Sequence, residues 1–477
     1  MGFRILLFSQ LLVVSVSLQA QVTYDFSLYP LGSANSARSA DFNRDGRPDL
    51  VVSANTGVNV LFNVGAGKFG SPVFYNTGSG VLFPIDVNND GWPDLVFGPN
   101  VAFGGDSIRV FLNNQNGTFR PGPVTFIGQS SGLAGAGDLN HDGKVDLLVT
   151  ENSLATGPQL QIFLSTGAGT FSAGQILRLS AASGTLDVED YNGDGFLDIA
   201  NIIPGKNKAL VWSGNGNGTF RAPLQLFPPI SSTLESVASL ATGDFNNDGR
   251  PDLAVSVSIA CQPDQFFLCG TNREFIYRNN GNSTFTLVSS VTMGEVNSAK
   301  LYAADLNGDQ NIDLVVAQGD SHTGTLAYAP GNGNGTFASP VSLGQADNDE
   351  VLFRDLDLDS RHDIVFPETL IGDLHVGLAR SGFTNCSGTR SGLLRAKICL
   401  PAAGAILSSP VLVRASGNAP IGVKRLEVWI DGKKAHQRWN DQLAKRFTLP
   451  AGTHRIAVVA VDKYRGTATT AIQVTVK

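Results

Sequence analysis

Oxygen-bearing side chains recur in this chain at a spacing suited to gripping a hard cation. A loop of the form D-x-[DN]-x-D-G-x-x-D, followed by an apolar pair, occurs seven times with small departures. The copies are DFNRDGRPDL from Asp41, DVNNDGWPDL from Asp86, DLNHDGKVDL from Asp138, DYNGDGFLDI from Asp190, DFNNDGRPDL from Asp244, DLNGDQNIDL from Asp305 and DLDLDSRHDI from Asp355. Side chains at positions 1, 3, 5 and 9 and the backbone carbonyl at position 7 supply the oxygens that Ca2+, which accepts 6–8, requires.

The expected ligand sets follow loop by loop. They are Asp41, Asn43, Asp45, Arg47 and Asp49; Asp86, Asn88, Asp90, Trp92 and Asp94; Asp138, Asn140, Asp142, Lys144 and Asp146; and Asp190, Asn192, Asp194, Phe196 and Asp198. The last three are Asp244, Asn246, Asp248, Arg250 and Asp252; Asp305, Asn307, Asp309, Asn311 and Asp313; and Asp355, Asp357, Asp359, Arg361 and Asp363. The fourth residue of each set counts for its carbonyl. Turn chemistry alone explains Asp, Asn and Gly in one loop, but not Asp at positions 1, 5 and 9 in all seven. Carboxylates packed so closely repel one another unless a cation intervenes. Mg2+ fits less well, because it keeps water and rarely takes all-protein cages. Up to seven Ca2+ ions are therefore expected.

Gly at position 6 allows the left-handed turn that wraps the ion. Gln310 and Ser360 replace it in the sixth and seventh loops. A non-Gly residue held left-handed costs about 1–3 kcal/mol. The seventh loop has a compensating fourth carboxylate, Asp357; the sixth has three and is expected to be the weakest site.

These loops need elements to position them. Their starts are 45, 52, 52, 54, 61 and 50 residues apart. Between them falls a turn leading to Phe: GAGKF to Phe69, QNGTF to Phe119, GAGTF to Phe171, GNGTF to Phe220, GNSTF to Phe285, GNGTF to Phe337 and a degenerate RSGF to Phe383. Each unit reads as four short strands, with the acidic loop after the first and the Phe opening the fourth. Seven such units predict an all-β, seven-bladed β-propeller over 21–385. The seventh unit weakens after Phe383, so 22–30 is expected to close blade 7.

Composition agrees. In 477 residues there are 54 Gly and 22 Pro, and only 16% are charged, which excludes long-helix and coiled-coil classes. A net charge of −7 excludes nucleic-acid binding by bulk charge. Residues 1–20, with one charge at Arg4 and an apolar run ending at Ala20, read as a secretory signal peptide. No other segment is long and apolar enough to span a membrane. A secreted or extracytoplasmic protein is expected, and its four cysteines suit that setting. Three connectivities are open; the simplest pairs Cys261 with Cys269 and Cys386 with Cys399.

The acidic loops and Gly-Thr-Phe turns make the chain resemble the FG-GAP/VCBS repeat proteins, including the seven-bladed propeller of integrin α-subunits. The resemblance covers about 22–385 and implies the fold and the metal. It says less about function, because the family holds adhesins, lectin-like proteins and lyases.

The remainder differs. After a linker at 386–399, alternating segments such as PVLVRAS and HRIAVVAVD predict a small β-sandwich over 400–477. It resembles bacterial Ig-like modules. From Ser387 to Lys477 there are 15 Lys/Arg and 4 Asp/Glu, a net of +11, whereas 21–386 carries 18 and 37, a net of −19. The basic tail suits an anionic surface, an acidic glycan or the propeller itself. Blade 5 has the longest connections on the face opposite the acidic loops, 221–240 and 257–273. The second presents Phe266 and Phe267, with Asp264, Arg273 and Glu274 as polar contacts, and is the expected site for a glycan or protein ligand. A Ca2+-dependent polysaccharide lyase or glycoside hydrolase is the competing reading, although none of the six His falls in a catalytic motif.

Overall fold

A computed structural model describes residues 22–99, 106–128, 131–153, 157–232, 234–259, 271–295, 300–318, 325–345, 350–359, 361–368, 372–380, 395–400, 406–407, 409, 411–418, 423–438, 442–462 and 467–477. The expected signal segment, Cys261, Cys269, Cys386, Phe266, Phe267, Asp264 and Ser360 lie outside the described residues, as does the side chain of Cys399.

Within them, seven four-stranded antiparallel sheets succeed one another along the chain. The second strand of each runs through the densest packing. Asp49–Ser53, Asp94–Gly98 and Asp198–Ile203 are buried at every residue. Both faces of such a strand meet a neighbouring sheet, hence sequences such as DLVVS and DLVFG that are apolar without alternation. Val51, Val58 and Val60 of the first sheet pack against Leu82, Leu95 and Phe97 of the second. Leu148, Leu160 and Ile162 of the third sheet meet Ile199, Leu210 and Trp212 of the fourth in the same way.

The first strands gather at the centre. Ser36–Ala40 touches Val81–Ile85 on one side and Leu352–Arg354 on the other, so the first and seventh sheets are neighbours in space. The seventh sheet is completed from the other end of the domain. Thr23–Pro30 pairs with Asp373–Arg380 over eight residues, from Thr23 opposite Arg380 to Pro30 opposite Asp373. The architecture is a β-propeller.

One expectation needs correction. Phe119, Phe171 and Phe285 open fourth strands, but Phe69, Phe220 and Phe337 do not. Phe69 closes a small hairpin with Asn63–Gly65, while Phe220 and Phe337 make single bridges to Gly214 and Gly331. The fourth strands there are Val73–Tyr75, Leu224–Leu226 and Val341–Gln345. In all three a proline follows the Phe by three residues (Pro72, Pro223, Pro340). A residue without an N–H interrupts the ladder at that point.

The C-terminal region folds as two facing sheets. Arg395–Leu400, Val411–Asn418 and Gln442–Phe447 form one. Ile406–Leu407, Thr467–Val476, Gly452–Asp462, Val423–Ile430 and the edge strand Lys433–Arg438 form the other. Val413, Leu426, Val428, Ile456 and Val458 are among the fully buried residues between them. The first strand begins at Arg395, inside the stretch 386–399 expected to be a linker. Ala396 and Ile398 face this core, an alternation short enough to be hidden by the intervening Lys397 and Cys399. No helix among the described residues is long and apolar enough to cross a membrane.

Candidate metal centre

Each acidic loop folds around its own side-chain oxygens. In the first, Asp41 accepts the N–H groups of Asp45 (3.0 Å, Oδ1) and Gly46 (2.8 Å, Oδ2). Asn43 Oδ1 also accepts from Asp45 N, and Asp45 Oδ1 accepts from Arg47 N, both at 3.0 Å. The second, third, fourth and fifth loops repeat this set. These Asx turns draw the oxygens of positions 1, 3 and 5 onto one loop. A carboxylate oxygen that accepts one N–H keeps a lone pair for a cation.

In each of the first six loops two residues are left-handed, not one. Position 6 is, as expected: Gly46 has φ +84° and Gln310 +74°. Position 4 is too: Arg44, Asn89, His141, Asn247 and Leu358 have φ between 55° and 61°. Only Gly193 and Gly308 use glycine there. Position 4 was invisible in the sequence because its side chains are so varied. That variety is used between loops. Arg44 lies over the Trp92 ring at 5.2 Å, Asn89 donates to Gly143 O (3.4 Å), His141 meets Phe196 edge-on, and Asn247 donates to Asn311 Oδ1 (2.9 Å).

Position 9 does something different. Asp49, Asp94, Asp146, Asp198, Asp252, Asp313 and Asp363 are all at most 1% exposed. Oδ2 of each accepts the N–H of position 2. Oδ1 accepts an N–H at or just beyond the third strand, from Asn63, Asn113, Ser165, Gly214, Asn279, Gly331 and Ala379 in turn. The same carboxylate thus ties loop to blade. Burial, reinforced by neighbouring loop carboxylates, pushes Asp49, Asp94, Asp252 and Asp363 up to about 7, Asp198 to about 6 and Asp313 to about 8. Such groups are reluctant anions until positive charge arrives.

The braces between blades escaped the sequence reading. The position-2 carbonyl of one loop is bonded to the turn of the next blade. Asn113 Nδ2 donates to Phe42 O (2.9 Å), Asn279 Nδ2 to Tyr191 O (2.6 Å) and Asn63 Nδ2 to Leu356 O (2.7 Å), the last joining the seventh loop to the first blade. Where Gly replaces that Asn, a backbone N–H does the same work: Gly218 to Leu139 O (3.0 Å) and Gly335 to Phe245 O (2.9 Å). The available signal was an Asn at the end of the third strand, just before the Gly-rich turn. Acidic loops and Gly-rich turns accordingly share one face.

The loops are not equivalent. At position 7 the sequence counted only the carbonyl, yet the side chains of Arg47, Lys144, Arg250 and Arg361 return to the position-5 carboxylates Asp45, Asp142, Asp248 and Asp359. In the seventh loop Asp355, Asp357 and Asp363 have carboxylate oxygens within 4.8 Å of one another, while Asp359 turns to Arg361. Asp357, which stands where the other six loops have Asn, thus completes a three-carboxylate cluster. In the sixth loop Asp305 is pushed up to about 6 by burial, against the pull of the His362 and Arg438 charges. These donor sets are all oxygen and all anionic or amide, which suits a hard divalent cation.

On the opposite face, the connection before blade 5 is pinned by Glu235, which accepts from Ser231 N (2.6 Å) and Ser231 OH (2.9 Å) and pairs with Arg273 (3.0 Å). These bonds hold Glu235 below the ordinary carboxylate range despite the cost of burial. Arg273 is thereby engaged rather than free. Glu274, also expected as a polar contact, is fully buried, and burial raises it to about 8. Asn272, Phe275, Ile276 and Tyr277 are buried with it, and Arg273 alone among residues 272–277 is partly exposed. Phe227, at 64% exposed, is the aromatic side chain that this connection presents.

The FG-GAP-like repeat family matches residues 41–97, 86–149, 138–201, 190–255, 262–316 and 305–366. The chain belongs to the FG-GAP repeat proteins. It is 25% identical over 266 residues to integrin alpha-7 of Rattus norvegicus, covering 51% of this chain and 21% of the integrin. It is 23% identical over 318 residues to a T-cell immunomodulatory protein homolog of Plasmodium yoelii yoelii, covering 63% and 40%. The chain thus spans less than half the length of these relatives. Among solved structures it is similar to an Agrocybe aegerita lectin described as recognising non-reducing terminal N-acetylglucosamine, with 18% identity, a TM-score of 0.46, and 68% and 91% coverage.

Proposed function

We propose that this FG-GAP propeller is an exported calcium-binding module for adhesion or ligand recognition. Ca2+ stabilises the blades, and the ligand, a carbohydrate or a protein, is held on the face opposite the acidic loops. The integrin relatives support a ligand-binding role. The observation that carries the metal is the cluster of Asp355, Asp357 and Asp363, whose oxygens lie within 4.8 Å. Three carboxylates so close repel one another, and a cation between them would relieve that repulsion. Calcium would neutralise the buried anions and, through the Asp49-type carboxylates, fix each loop to its blade.

Isothermal titration of the metal-free protein tests the metal, with up to seven Ca2+ expected. A glycan array and a protein-capture screen, run with Ca2+ and with chelator, test the ligand. Phe227→Ala is expected to weaken capture without lowering thermal stability. Release of reducing sugar or unsaturated uronide by the purified protein would instead favour a hydrolase or lyase.

A further inference from the structure

The sixth loop meets a cation supplied by the chain itself. Arg438 ends the edge strand Lys433–Arg438 of the C-terminal sandwich, 128 residues beyond the loop it touches. Its Nη2 donates to Gln310 O at 2.6 Å and its Nη1 to Gln310 Oε1 at 3.4 Å. The guanidinium is half-buried and interacts electrostatically with Asp305, Asp244 and Asp309, carboxylates of the fifth and sixth loops. Gln310 stands where five other loops have Gly, and it holds the left-handed turn at φ +74°. Glycine there would offer Arg438 a carbonyl alone; glutamine adds the carboxamide. The two bonds to Arg438 offset part of the strain.

We infer that the basic sandwich docks on the acidic-loop face of the propeller at the junction of the fifth and sixth loops, with Arg438 as a tethered cation that competes with a metal ion in the sixth loop. A guanidinium and a divalent ion drawn to the same carboxylates repel each other, so each weakens the binding of the other by the same factor. The gross charges favour docking, with +11 on the tail facing −19 on the propeller when it holds no metal. Loading the loops shrinks that attraction. The sandwich is thus held most tightly on a calcium-poor propeller and released as calcium rises. The coupling rests on the reading of the loops as calcium sites; the docking does not.

The test uses the full chain and two variants, Arg438→Gln and Gln310→Gly, with two readouts. In calcium titrations, one site is expected to tighten about tenfold in Arg438→Gln, and in the same direction in Gln310→Gly, with the other sites unchanged. In small-angle scattering, metal-free wild type is expected to be more compact than metal-free Arg438→Gln, and saturating Ca2+ should expand the wild type toward the variant. Arg438→Lys should fall between the two, since it keeps the charge and loses the paired bonds. A site that loosens or is unchanged in Arg438→Gln overturns the competition. Identical metal-free scattering of wild type and Arg438→Gln overturns the docking. No calcium uptake by any of the chains would sink the metal reading and the competition together, whereas a scattering difference would still show that Arg438 docks the sandwich.

Discussion

The propeller and the sandwich solve the same problem, joining β-sheets around a core, with different chemistry. The sandwich is closed chiefly by apolar side chains: Val413, Leu426, Val428, Ile456 and Val458 fill the space between its sheets, and Glu427, its buried carboxylate among the described residues, is neutralised by Arg425 and Lys434. The propeller also packs apolar blades, but threads seven buried carboxylates through them, each held by two backbone N–H groups. An apolar core is indifferent to ions. Buried carboxylates are not, and blades whose acidic loops are tied down through them inherit that sensitivity. The difference teaches that any cation these loops take up would act on the domain's architecture rather than on its surface alone.

Removing calcium should break the symmetry most. In chelator, calorimetry is expected to show the propeller transition falling well below that of the sandwich, which stays put. At free Ca2+ a thousandfold above Kd, each site contributes about 4 kcal/mol. Equal shifts of both transitions, or none, would erase the contrast. Next in size is Asp49→Ala, which strands two buried N–H groups at a cost of about 2–6 kcal/mol to the propeller, readable by urea unfolding. Asn113→Ala probes the brace between blades and should cost about 1–3 kcal/mol, with little change in calcium stoichiometry.

The smallest effect lies in the sandwich. His454 faces acceptors on both ring nitrogens, Asp431 Oδ2 at 2.7 Å and Pro450 O at 2.9 Å. The hydrogen bond to Asp431 and then that to Pro450 raise its pKa above the ordinary 6.5. A raised His pKa gives stability that is complete below pH 6.5 and lost as pH rises through the folded value. Because Asp431 is half exposed, at most about 1 kcal/mol is at stake. Asp431→Asn should flatten that pH dependence, and an NMR titration of His454 should show its pKa fall toward 6.5.

The repeat was legible because the acidic loop places its oxygen-bearing side chains at fixed offsets, and Asp at positions 1, 5 and 9 is a pattern in one dimension. Closure by 22–30 was legible too, because the seventh unit lacked a strand and the N-terminal stretch had no unit of its own. Other features lay beyond it. Left-handed position 4 is filled by Arg, Asn, His and Leu as well as Gly, so no single residue type marks it in the sequence. Asn63 to Leu356 and Arg438 to Gln310 join residues 293 and 128 apart. Local spacing determined what each loop could hold. Which loop leans on which blade, and that the basic tail reaches the sixth loop, were decided by tertiary packing, because partners that meet only after the ring closes need no spacing in sequence.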